Sequence, residues 1–133
     1  MGAQQTIESV TADQLREDGF FPNFSVGDTI NVHYTIVEGD KERVQVFQGV
    51  LIGQKSRGIN ATITVRRIVA NEGVERIFPV NMPALQRVEV NKKGKVRRAR
   101  IFYFRELTGK KARIKEAKRA LTLSFQVKQR CSM

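Results

Sequence analysis

The sequence predicts a mainly β protein: a small antiparallel SH3-like barrel with a projecting basic hairpin, a short N-terminal helix or extension and a short C-terminal helix. Three observations carry this expectation. Val and Ile together number 25 against nine Leu and Met, and β-branched side chains suit the pleated, half-buried surface of strands. Six short apolar stretches are separated by turns rich in Gly, Asn and Asp, the rhythm of a closed or sandwiched antiparallel sheet. The length of 133 residues fits one domain with extensions, and such a chain can bury roughly 68% of its unfolded surface without disulfide or metal.

Each element has its own signal. Residues 1–21 read as an N-terminal extension, with Ile7, Val10 and Leu15 giving a short helical pattern that Gly19 ends. The barrel spans 22–108. Phe24 and Val26 lead into a turn at Gly27-Asp28, and Ile30, Val32, Tyr34 and Ile36 then alternate with Thr29, Asn31, His33 and Thr35, a strand with one wet face. Turn chemistry at Glu38-Gly39-Asp40-Lys41 opens a second strand, Val44 to Ile52, in which Gly49 predicts a bulge or sharp bend. After the polar loop Gln54 to Asn60, a third strand runs from Ile63 to Val69, and Asn71-Glu72-Gly73 turns it into a fourth, Val74 to Phe78. Pro79 and Pro83 bracket a connector, and Val88 and Val90 mark a fifth strand. Asn91 to Lys95 is expected to be a hairpin tip, with Val96 to Phe104 returning as a sixth strand. Residues 109–133 form a basic C-terminal helix and tail, with Ile114, Ala117 and Leu121 at helical spacing.

Charge is the informative quantity. The formal net charge is +11, from 24 Lys and Arg against 13 Asp and Glu. Residues 1–40 hold one base and seven acids, whereas residues 92–119 hold thirteen bases and only Glu106 and Glu116 as acids. A field so concentrated implies a polyanionic partner, nucleic acid before membrane. No apolar run exceeds four residues, against the roughly 20 needed to span a bilayer. The acidic N-terminus resembles neither a secretory signal nor a transit peptide, so a cytoplasmic location is expected.

Catalysis is not expected. One His, one Cys and no metal-ligand spacing leave no nucleophile, acid–base pair or zinc site to assemble, and no cofactor is implied. His33 lies on the wet phase of its strand. Gly109-Lys110-Lys111 lacks the upstream Gly and the hydroxyl residue of a phosphate loop. Cys131 has no partner for an intramolecular disulfide.

The basic constellation suggests RNA. Arg98 and Arg100 share one strand phase and Arg97 the other, and arginines on both faces cannot all point at water from a buried barrel strand, so the expected strand extends beyond the barrel body or lays its exposed half against an acidic partner. Lys92, Lys93 and Lys95 at the hairpin tip would then reach phosphates, and such contacts make affinity fall steeply with salt. Among the aromatics, Phe102 and Phe104 share a phase and are expected in the core. Tyr103 faces the other way, where an exposed ring can stack on a base.

Several segments taken together resemble one family. They are Phe24-Ser25-Val26-Gly27-Asp28-Thr29, the stretch Glu38 to Val50, Thr64-Val65-Arg66-Arg67-Ile68, Gly73 to Pro79, Gly94 to Arg100, and Gly109 to Glu116. In this order, over roughly residues 22–116, they resemble the bacterial large-subunit ribosomal protein L-nineteen family. The connector departs from it, reading Asn81-Met82-Pro83 where the family usually has Ser-Pro.

The resemblance implies an SH3-like barrel bound to large-subunit ribosomal RNA near the face that meets the small subunit. It also implies a neighbouring large-subunit protein, a contribution to an intersubunit bridge with small-subunit ribosomal RNA, and residence in the ribosome. By position, the family's basic strand maps onto Lys95, Arg97, Arg98 and Arg100, its aromatic strand end onto Tyr103 and Arg105, its C-terminal basic segment onto Lys110, Lys111, Arg113 and Lys115, and the bases of its middle strands onto Arg66, Arg67 and Arg76. Lys55 and Arg57 in the polar loop, with Lys92 and Lys93, complete the expected RNA-binding set. A soluble translation or transcription factor carrying the same nucleic-acid module is the alternative, and an RNA-directed enzyme a more distant one.

Overall fold

The alternating β-branched segments form strands because each can bury one face while the other stays wet. A computed structural model describes residues 2–16 and 21–117. After a short helix, α1 (Ala3–Thr11), five strands follow: β1 (Thr29–Glu38), β2 (Lys41–Lys55), β3 (Thr62–Val69), β4 (Glu72–Pro79) and β5 (Leu85–Lys92). They make one antiparallel sheet in the order β4-β3-β2-β1-β5.

The tight turns follow from residue chemistry. Glu38 pairs with Lys41 across the two-residue loop Gly39-Asp40, where Gly39 takes φ +60°. Val69 pairs with Glu72 across Ala70-Asn71, both at positive φ, the requirement of a two-residue hairpin turn with right-handed strand twist. This turn lies nearer the N-terminus than the Asn71-Glu72-Gly73 turn that the sequence predicts, and the change of register matters at the site described below.

β2 organises the sheet. Lys41 to Val50 pair with β1, Val50, Leu51 and Gly53 to Lys55 pair with β3, and the β2–β3 register shifts between Leu51 and Gly53. The bulge therefore falls at Ile52, not at Gly49. Gly49 meets a different demand: a Cβ there would come within 2.7 Å of the Arg66 carbonyl oxygen.

The sheet coils around a core drawn from all five strands: Ile30, Val32, Tyr34, Phe47, Leu51, Ile63, Val65, Phe78, Leu85 and Val88. Tyr34 of β1 meets Phe78 of β4 with ring centroids 5.5 Å apart although the two strands are not neighbours, so the sheet curves strongly. It does not close. Among the described residues β4 and β5 remain unpaired edges, and the expected six-stranded barrel is an open, coiled, five-stranded sheet.

The sixth strand is where expectation and structure part. Residues 96–100 are irregular, and Phe102–Glu106 is a 3₁₀ helix. Nor do residues 91–95 form a hairpin tip. Lys95 donates its N–H to the Lys115 carbonyl (2.9 Å), Ala117 to that of Lys93 (2.8 Å), and Gly94 bridges Glu116 antiparallel. The physical reason lies in the charges: Arg97, Arg98 and Arg100 occupy both phases, and an irregular segment exposes all three where a strand packed on a core would bury at least one.

Residues 109–117 likewise do not form the expected helix. Gly109–Ala112 is one 3₁₀ turn, followed by the extended pairing with residues 93–95. The rest of that expected helix and tail, with Leu121 and Cys131, lies outside the described residues.

At the other end, α1 stops at Thr11, short of the pattern reaching Leu15, and Ala12–Gln14 adds a 3₁₀ turn. Arg16 fastens this extension to the connector and the first residue of β5, donating to the Met82 and Leu85 carbonyls at 2.6 Å each.

Candidate nucleic-acid interface

The basic segment from residue 93 to 117 is held on the sheet by a second apolar cluster. Ile52, Ile101 and Phe104 are buried, with Val26, Val50, Val96, Leu107, Ala112 and Ile114 packed around them. Ile52 can join this cluster because the bulge places it against the segment, and its carbonyl accepts the Ile101 N–H at 3.0 Å. Ile101, Phe104 and Leu107 are three apart, the spacing of a 3₁₀ turn. The same geometry turns Phe102 outward to 41% exposure, next to Tyr103 at 45%, so Phe102 is not the core residue that strand alternation predicts.

Asp28 supplies the polar anchor. It is fully buried, accepting the Ser25 N–H and the Ser25 hydroxyl on one oxygen (2.9 and 3.3 Å) and the Gly94 N–H on the other (2.9 Å). A Cβ on Gly94 would stand 2.1 Å from the Gly27 carbonyl oxygen, so only glycine lets the two backbones meet there. The sequence marks Asp28 as a turn residue; its grip on the basic segment, 66 positions away, is visible only in the fold.

On this scaffold Lys93, Lys95, Arg97, Arg98, Arg100, Lys110, Lys111, Arg113 and Lys115 are exposed, as are Lys55 and Arg57 at the end of β2 and beyond. None of these eleven meets a carboxylate within ion-pair distance among the described residues. Lys95 and Arg98 line a groove of about 600 Å³ with Ser25, Gln54, Ser56 and Ala99.

The other expected bases are committed within the protein. Lys92 pairs with Glu116 at 3.0 Å on the surface. Arg67 lies over the Phe47 ring (4.8 Å), and Arg76 over Tyr34 (4.6 Å) and Phe78 (5.2 Å) while donating to the Tyr34 hydroxyl. Both stay exposed, so their guanidinium groups cover an open end of the core.

Arg66 is the most enclosed base, at 8% exposure. It donates to Glu75 at 2.8 Å and to the Arg105 carbonyl at 3.1 Å, while its Nε finds no partner. Arg105 closes the group, its Nε lying 2.9 and 3.1 Å from the two Glu75 oxygens. Burial alone would raise the Glu75 pKa, but hydrogen bonds from Arg105 and Arg66, reinforced by their charges, hold it below the ordinary carboxylate value. Arg66 and Glu75 face each other directly in the β3–β4 register that the Ala70-Asn71 turn sets.

An exposed basic surface on a small β scaffold is common to many proteins, so sequence comparison decides the family. The model of "Ribosomal protein L19" matches residues 5–117. The chain belongs to this family. It is 54% identical over 113 residues to the large ribosomal subunit protein bL19 of Christiangramia forsetii, covering 85% of this chain and 97% of that one. Against the bL19 proteins of Flavobacterium johnsoniae and Flavobacterium psychrophilum it is 62% and 61% identical over 99 residues, 74% of this chain and 85% of each relative.

The L19 match begins at residue 5, so α1 and the stretch to residue 21 fall largely within the family, beyond the 22–116 span of the resemblance. As an L19-family protein the chain is a structural constituent of the large ribosomal subunit in the cytoplasm, acting in translation with ribosomal RNA and ribosomal proteins as partners. It is not an enzyme.

Proposed function

We propose that the chain binds large-subunit ribosomal RNA through the surface built by residues 93–117 together with Lys55 and Arg57. The observation that carries this is the set of eleven exposed, carboxylate-free bases on a backbone pinned by Asp28, Ile52 and Ile101. A pinned backbone presents its cations with little further ordering cost, and each phosphate contact gains by releasing condensed counterions. The bases contact phosphates and read RNA shape; no chemistry is performed.

In this reading Arg66, Arg67, Arg76 and Lys92 serve the surface indirectly, by fixing the strands and segment that carry it. The coiled five-stranded sheet is an opened relative of the SH3-like barrel. The place near the small subunit, and the contribution to an intersubunit bridge, follow from the family resemblance.

The test is charge reversal at Lys95, Arg97 and Arg98 together. All three side chains are exposed, so the variant keeps a wild-type circular dichroism spectrum and unfolding midpoint. It is expected to be strongly depleted from assembled large subunits isolated in high salt. Incorporation at the wild-type level would show that RNA binding runs through another surface.

A further inference from the structure

Phe102 and Tyr103 are adjacent exposed rings, and each carries a guanidinium: Arg105 lies 4.8 Å from the Phe102 centroid, Arg98 5.5 Å from that of Tyr103. The two arginines are tethered differently. Arg98 meets no carboxylate among the described residues and remains suited to a phosphate. Arg105 has its charge offset in part by Glu75, which lies against its Nε at 2.9 and 3.1 Å and is shared with Arg66.

Glu75 is fixed in turn by the buried Arg66, whose guanidinium fills the space beside Gly73, where a Cβ would come within 2.1 Å of it. Arg66 also binds the Arg105 backbone carbonyl. Beneath this assembly the edge of the Phe102 ring rests on Gly53, 3.4 Å from the position of an added Cβ. The Arg105 plane is thus held over a ring and clamped at its edge, while half of the side chain remains open to solvent. A guanidinium that shares a carboxylate is a weaker phosphate ligand than a free one, and its flat face stacks well on a nucleobase.

We propose that Phe102 and Arg105 form a stacking platform for an unpaired RNA base, positioned by Glu75 and Arg66. The proposal rests on the reading that the chain binds RNA, and it assigns this corner of the surface to single-stranded nucleotides where the surrounding lysines and arginines take phosphates. Paired bases are already stacked on their neighbours and cannot use such a platform without melting.

The experiment compares binding of the full chain to a short oligoadenylate strand and to an RNA duplex of equal charge over a range of salt. Phe102→Leu keeps the apolar contact with Gly53 and removes the ring; Arg105→Lys keeps the charge and removes the plane. Each is expected to weaken oligoadenylate binding roughly tenfold, to leave the salt slope unchanged and to leave duplex binding at the wild-type level. Phe102→Tyr retains the wild-type affinity. Equal losses on both RNAs, no loss on either, or wild-type binding of the duplex alone would overturn the platform and leave the RNA-binding reading standing. Failure of the wild-type protein to bind either RNA would overturn both.

Discussion

Glu75 stands between two guanidinium groups, and its ionised form is worth more in the folded chain than in the unfolded one. Because its folded pKa is lowered, this contribution is complete above the ordinary carboxylate value and is lost as pH falls through that value to the lowered one. Glu75→Gln should therefore destabilise the protein near neutral pH, and the difference from wild type should shrink as pH drops below about 4.5. Urea unfolding of both proteins across that range measures it; a difference independent of pH would mean that Glu75 acts through shape and not charge. The same residues show what sequence could not reveal. Arg66, Arg67 and Arg76 look alike as bases on alternating strands, yet one is buried on Glu75 and two lie over aromatic rings. Placing the β3–β4 turn at Asn71 to Gly73 hides the direct opposition of Arg66 and Glu75, which the two-residue turn at Ala70-Asn71 creates.

At the scale of elements, the five strands were legible because alternation of branched apolar and polar residues has only one comfortable solution. The segment after β5 was not, because its apolar residues fit two periods. Phe102 and Phe104 suggest period two, whereas Ile101, Phe104 and Leu107 obey period three, and the bases on both strand phases decide for the second. Ile101 is the pin of this element, fully buried and bonded to the bulged Ile52. Ile101→Ala should cost about 2–5 kcal/mol, the usual range for truncating a buried branched side chain. Its signature is local: amide exchange at Lys95 and Ala117 should rise more than in the β1–β2 ladder. A uniform rise would show that segment and sheet open as one unit.

For the whole molecule, the charge asymmetry was readable and the openness of the sheet was not. Residues 22–91 contain eight bases (Lys41, Arg43, Lys55, Arg57, Arg66, Arg67, Arg76, Arg87) and seven acids (Asp28, Glu38, Asp40, Glu42, Glu72, Glu75, Glu89), close to neutral. The excess lies in the segment laid across the sheet. Closure of a barrel depends on whether its first and last edges meet, a long-range property on which the alternation of any single strand is silent. Here β4 and β5 stay apart, and the second apolar cluster, against the bulge of β2, covers part of the sheet instead.

The bond from Gly94 to Asp28 also sets an order in time. Strands β1 to β4 are joined as successive hairpins, whereas this contact brings together residues 66 positions apart. Closing a long loop costs more entropy than closing a short one, so the β1–β4 hairpins form first, and β5, itself paired with the distant β1, docks onto them together with the polycationic segment. In pulse-labelled refolding, the Leu51 amide, which bonds Asp28 within the sheet, should gain protection before that of Lys95. Protection of both in a single step would mean concerted closure. Folding in the stepwise order, a newly made chain passes through a stage with its β1–β4 hairpins formed and its positive segment undocked, and an RNA met at that stage can help to set the segment in place.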